Sequence, residues 1–201
     1  MRRLTPIEEQ GLAVLAASTA NFGLLEVTQT GLEKSILDAT TPLRRVLAQA
    51  GIHDYAAQGQ GQGNKHVTGA VIHGFLAARE TKASLYRPET KNGDPRIWVY
   101  GLKQEARPGD IVAIIPHRGV LHVVNLTSLE LRDLSVQQGH SVQRLLASIL
   151  ADSNAVPGEL LGKLRDIARS GPAPSVTANR SDTSIGRTLE ALLGISMNSS
   201  K

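Results

Sequence analysis

Residues 81–102, TKASLYRPETKNGDPRIWVYGL, read as two strands joined by a polar loop. Ala83 and Leu85 on one side, Ile97 and Val99 on the other, alternate with polar or aromatic neighbours, the period-two pattern of a half-buried strand. Between them Pro88, Asn92, Gly93 and Pro95 interrupt regular pairing and impose turns. Arg87, Glu89, Lys91, Asn92, Asp94 and Arg96 are thereby left on a projecting arm. Forked guanidiniums, amides and carboxylates on such an arm suit phosphate neutralisation and the reading of base edges in a major groove. An ordinary solvated hairpin is the plainer alternative.

The 201 residues suffice for one sizeable domain plus an appendage, or for two small ones. Apolar residues make up 41% but aromatics only 3%, so the core is aliphatic. Twenty-two Lys and Arg against 18 Asp and Glu leave a net charge of +4, with a pI near 9.6. That balance is compatible with a nucleic-acid partner without identifying one. The absence of cysteine excludes a disulfide framework and thiolate metal sites. No apolar run has the length of a membrane span, and Met1-Arg-Arg leads into acidic residues rather than a secretory core. The expected compartment is the cytoplasm, with no membrane partner.

Residues 1–21 hold an N-terminal helix, with Thr5 as cap, Pro6 in the first turn and Glu8 completing a capping box. Phe22 to Val27 reads as a strand. Thr28 to Lys34 is polar with one glycine and reads as a second arm, and Ser35 to Asp38 as a short strand. Thr41-Pro42 opens a helix that Gly51 ends. Leu43, Val46 and Leu47 lie on one of its faces, Arg44 and Arg45 on another, and the helix is expected to plug one mouth of a small sheet. Gln58 to His66 alternates glycines without the Gly-Lys-Ser/Thr step of a phosphate loop. It reads as a flexible loop presenting Lys65 and His66 to a nucleic-acid backbone. Val67 to Leu76, Ile111 to Ile115 and Val120 to Leu126 read as further strands, with turns at Arg107-Pro-Gly-Asp110 and His117-Arg-Gly119. The predicted fold over 22–127 is mainly β, an open barrel with a few helices. Residues 128–169 are expected to form a helical pair, over 142–150 and 158–168. Residues 170–183 have the composition of a linker, and an amphipathic helix over 184–195 precedes a polar tail. A linker leading to one capped helix predicts a fragment whose next domain begins at 184. The alternative is a C-terminal helix that docks back on the barrel.

The six histidines are scattered, no pair has metal-ligand spacing, and no nucleophile elbow is present, so no catalytic residue and no metal ligand is assigned. Asp110 is expected to bond its own turn. Between Arg79 and Arg107 seven basic residues, including Lys82 and Lys103, face four acidic ones, a net +3. Trp98 reads either as a barrel-edge core residue or as a base-stacking platform.

Two resemblances agree. The segment SIGRTLEALLGI, Ser184 to Ile195, resembles the first helix of the MvaI/BcnI type of restriction endonuclease, where the helix supplies an acidic residue to the site; Glu190 stands at the matching place. The body from Phe22 to Thr127 is similar in the order of its strands, arms and helix to the EcoRII-type N-terminal DNA-binding domain, which has the B-three open pseudobarrel. The Gly109-Asp110 step before a hydrophobic strand agrees with that resemblance. Together they resemble restriction enzymes that join such a domain to an MvaI-type nuclease. The resemblance implies an effector domain that binds duplex 5′-CCWGG-3′ as a monomer in the bacterial cytoplasm, is not itself an enzyme, and needs no cofactor, while the parent nuclease uses Mg2+. Two arms would grip the major groove. Gln29, Thr30, Glu33 and Lys34 are base-reading candidates in the first. In the second, Arg87 and Arg96 would read guanine, Glu89 and Asp94 cytosine, and Asn92 a base or the backbone. Lys65, His66, Arg79, Lys82 and Lys91 would hold phosphates. Two other readings remain: a small β-barrel enzyme or RNA-binding protein that holds a phosphate ligand on the Gln58–Lys65 loop, and a barrel that binds only protein.

Overall fold

The stretch quoted above folds as a hairpin. In the computed structural model, which describes residues 2–176 and 182–195, strands β4 (Ala78–Tyr86) and β5 (Arg96–Val99) pair antiparallel, with Leu85 opposite Ile97 and Ala83 opposite Val99. All four of these apolar side chains are buried. The other strands are β1 (Gly23–Glu26), β2 (Leu37–Asp38), β3 (His66–His73), β6 (Ile111–His117) and β7 (Val120–Asn125). Together they form a seven-stranded sheet in the order β1-β6-β7-β3-β4-β5-β2. The pairings are antiparallel except β3 with β7, so the sheet is mixed and the fold is mainly β with helices.

The helices are α1 (Pro6–Ala17), α2 (Gln29–Lys34), α3 (Thr41–Gln49), α4 (Leu102–Glu105), α5 (Leu131–Val136), α6 (Ser141–Arg169) and α7 (Asp182–Leu192). The chain forms two compact units, Met1–Leu150 and Ala151–Lys201. In the first, β6 shows why the run IVAII is apolar throughout. Val112 and Ile114 face one core with Leu43 and Leu47 of α3, Leu85 and Ile97. Ile111, Ala113 and Ile115 face a second core with Leu15 of α1, Leu131 and Leu134 of α5, and Val142 and Leu145 of α6. A strand covered on both faces loses the polar alternation of a half-exposed one. Trp98 is buried in the first core, as the barrel-edge reading expects.

Four expectations are corrected. The segment 28–34 is the helix α2, because Thr28 caps it, accepting the Gly31 N–H at 3.0 Å. The strand expected over 67–76 stops at His73; Gly74 N donates to Ala77 O, and the resulting turn leaves Phe75 and Leu76 exposed. The helical pair over 142–168 is one helix with Pro157 inside it. Ala151–Ala155 and Gly158–Leu161 are exposed there, where a proline inside a helix is better tolerated than in a packed core. The histidines are not all scattered. His73 Nε2 and His122 Nδ1 lie 3.0 Å apart, and His73 Nδ1 lies 3.0 Å from Ser141 Oγ at the start of α6. In the second unit, Gly194 follows α7 with a positive φ and Ile195 N bonds Glu190 O, closing the expected helix at its expected end. Part of the linker (177–181) and the polar tail lie outside the described residues.

Two buried polar clusters lock the outer helical layer to the sheet. Glu8 is fully buried and accepts hydrogen bonds from the Arg2 guanidinium, Thr5 N and Thr127 Oγ1. The Arg2 guanidinium, more than any other group, holds its carboxyl down at about 2. His73 is held at about 4 by burial and then by His122, and His122 at about 4 by burial and then by His117. Glu8→Gln is expected to lower the midpoint of urea denaturation, because the buried side chain loses its charge-assisted bonds from the half-exposed Arg2 guanidinium. The histidines' folded values lie below the ordinary 6.5, so their stabilisation is complete above pH 6.5 and is lost as pH falls towards 4. Denaturation at pH 7 against pH 4.5 should show a loss on the order of 2–3 kcal/mol, and His73→Gln/His122→Gln should flatten that slope.

Candidate nucleic-acid interface

The loop between β4 and β5 is anchored by Arg87. Its Nε donates to Gly93 O at 2.8 Å, and its Nη1 donates to Gln58 O at 3.1 Å and Tyr55 O at 3.4 Å. Its own carbonyl accepts Gly61 N at 2.8 Å. The segment 58–64 therefore lies against the arm. A Cβ on Gly61 would sit 2.6 Å from Glu89 Oε1, and one on Gly93 would sit 2.3 Å from Gln60 Nε2. Both glycines have positive φ, so the two loops approach through backbone that a side chain would separate. Asn92 is also left-handed, at φ 56°, and is exposed. The glycine-rich loop thus works as a platform for the arm. Its amides at Gly61, Asn64 and Lys65 bond carbonyls within the chain.

Arg96 lies opposite Asp38 in the β2–β5 register and forms an ion pair with it, with Asp94 3.8 Å away. Tyr55 Oη donates to Arg96 O at 2.8 Å. Both arginines expected to read guanine are therefore engaged inside the chain in the free protein.

The two predicted arms meet. A cleft of about 520 Å3 is lined by Thr28, Thr30 and Lys34 from one side and by Pro88, Thr90 and Arg96 from the other. Gln29 and Glu33 lie beside it on α2, paired at 2.6 Å. Lys103 Nζ donates to Glu33 O and stands 5.8 Å from the Trp98 ring, tying α2 to β5. Asn92 and Asp94 line a different cleft, and Glu89 is exposed above Gly61. The Lys91 side chain lies outside the described residues.

The expected phosphate ligands do not gather with the arms. Lys65 Nζ is 3.2 Å from Tyr100 Oη, and His66 stacks on His53 at 5.1 Å between centroids. Arg79 Nη2 donates to Gly101 O and faces Glu105 at 3.8 Å. Lys82 is exposed on β4, across from Gly69. Sequence reasoning missed Asp38, whose partner is set by strand register. Among the described residues no three His, Asp or Glu side chains come together to hold a metal ion, and no helix is long and apolar enough to cross a membrane.

No curated protein and no solved structure matches the chain. The model of the MvaI/BcnI restriction endonuclease family matches residues 161–201, which begin within α6 and include α7. Over that segment the chain is similar to restriction endonucleases of this family.

Proposed function

We propose that the barrel is a sequence-specific duplex-DNA module of the B-three type, tethering a restriction nuclease to a second copy of its target, 5′-CCWGG-3′. One observation carries the proposal: α2 and the 87–96 loop, more than 50 residues apart in the sequence, meet at one cleft, through Thr28, Thr30 and Lys34 on one side and Pro88, Thr90 and Arg96 on the other. The relation of residues 161–201 to restriction endonucleases supports it. In this reading the α2 arm offers Gln29, Thr30, Glu33 and Lys34 to base edges, and the second arm offers Glu89, Asn92, Asp94 and Arg96. Lysine and arginine suit guanine acceptors, and carboxylates suit the cytosine amino group. Arg87 is a positioning residue that holds the loop in shape. Lys65, His66, Arg79, Lys82 and Lys91 contribute sequence-independent attraction to phosphates. The segment from 184 would be the opening helix of an MvaI-type nuclease, an enzyme class expected to use Mg2+. The module is monomeric, silent in cleavage by itself, and cytoplasmic. A phosphate ligand on the Gln58–Lys65 loop is the weaker reading, since the amides named above are bonded within the chain.

Competition between CCWGG and scrambled duplexes tests this directly. The cognate site should bind roughly 10³-fold or more tightly at physiological salt, and equal binding would end the reading. Asn92→Ala and Lys34→Ala should each cost about 1–3 kcal/mol on the cognate duplex alone, whereas Lys82→Ala should weaken both duplexes alike. Arg87→Ala should lower the stability of the free protein by about 1–3 kcal/mol as well as weakening binding, because three carbonyls lose a charged donor.

A further inference from the structure

The 87–95 loop walls a second cleft of about 520 Å3, whose other side is the polar face of α3. Thr41, Arg44 and Arg45 line it from the helix, and Asn92 and Asp94 from the loop. With Arg87 and Asp54 added, three guanidiniums meet two carboxylates, a local net of +1. The carboxylates do not neutralise the helix arginines. Asp54 accepts Ala56 N at 2.8 Å and Asp94 faces Arg96, and among the described residues neither Arg44 nor Arg45 forms an ion pair. Arg44 Nη2 donates to Thr41 Oγ1 at 2.7 Å, while its Nε is buried with no acceptor. A buried donor left without an acceptor is a cost, and it marks a guanidinium whose bonding the chain itself does not complete. Arg45 is exposed beside it, one residue along the same helix.

The loop is shared by both clefts. Pro88, Thr90 and Arg96 face the α2 cleft, and Arg87 with Asn92 to Pro95 faces this one. A groove that receives the loop therefore brings the strand beside it towards α3. We propose that Arg44 and Arg45 form a phosphate clamp, holding backbone phosphodiester oxygens of the duplex next to the inserted loop. The clamp rests on the duplex-binding reading above and adds to it a contact that no base edge shares. Its chemistry is that of forked guanidiniums on phosphate oxygens, which orient a strand without reading it.

Fluorescence anisotropy of the full chain on CCWGG and scrambled duplexes, repeated across salt concentrations, tests the clamp. Arg45→Ala should weaken both duplexes by the same factor and make the slope of log K against log salt shallower by about 0.9. Arg45→Glu should weaken both further. Because Arg45 is exposed, both variants should melt like the parent protein, which a thermal scan checks. Arg44→Lys keeps the charge but loses the fork, and should weaken both duplexes with little change of slope. Unchanged affinity and slope in both Arg45 variants, with CCWGG preference intact in the parent protein, would end the clamp and leave the duplex reading standing. A loss confined to the cognate duplex would make Arg45 a base reader and overturn the phosphate assignment. A parent protein that binds no duplex would end both.

Discussion

A single guanidinium, that of Arg87, joins the turn after Gly51, the glycine-rich loop and the tip of the β4–β5 hairpin. Three carbonyls from these segments accept its N–H groups, and the Arg87 carbonyl accepts Gly61 N in return. Charge-assisted bonds of this kind are short, directional and stronger than neutral ones. They set the conformation of a loop that proline and glycine alone would leave free to choose among several turns. The shape of both clefts follows, because the loop is a wall of each. An arm held in this way loses less conformational entropy when it meets a partner than a loose one would.

Behind the arm the sheet is held from both sides. β6 contributes alternate residues to a barrel core closed by α3 and to an outer core closed by α1, α5 and the first turns of α6. The polar clusters sit at the outer layer: Glu8 with Arg2 and Thr127 on one part, His73 with His122 and Ser141 on another. Their burial is satisfied by hydrogen bonds, and both depend on a protonation state that acid reverses. The clefts lie elsewhere in the first unit and use none of these groups. The two buried clusters of the outer layer are thus separate from the clefts, whereas Arg87 and Arg96 both hold the loop and line a cleft.

Much of the fold was legible because local patterns carry local physics. The alternation in ASL and IWV, the Pro-Glu-Thr-Lys-Asn-Gly loop and the capping box at Thr5 each specify an element within a few residues, and each appears where it was read. Where two local signals competed, the reading failed. The segment read as a polar arm over 28–34 is helical, because the Thr28 cap and the bond from Ile36 N to Gly31 O close a short helix. Pro157-Gly158 suggested a break, but an exposed helix tolerates the lost bond. The histidine pair was invisible, since His73 and His122 meet only because β3 and β7 run parallel as neighbours.

The amino-acid sequence by itself determined an aliphatic barrel without cysteine, a polar arm rich in ionisable groups, and the basic face of α3, since composition and period are properties of the chain alone. Which of those ionisable groups are free was decided only by the tertiary structure. Arg87 and Arg96 look equivalent to Arg44 and Arg45 by residue type, yet the first two are engaged by carbonyls and a carboxylate brought from distant segments, and the second two form no ion pair among the described residues. The reason is physical: whether a charge is available depends on what lies within a few ångströms of it, and strand register and loop packing, rather than sequence neighbours, set that distance.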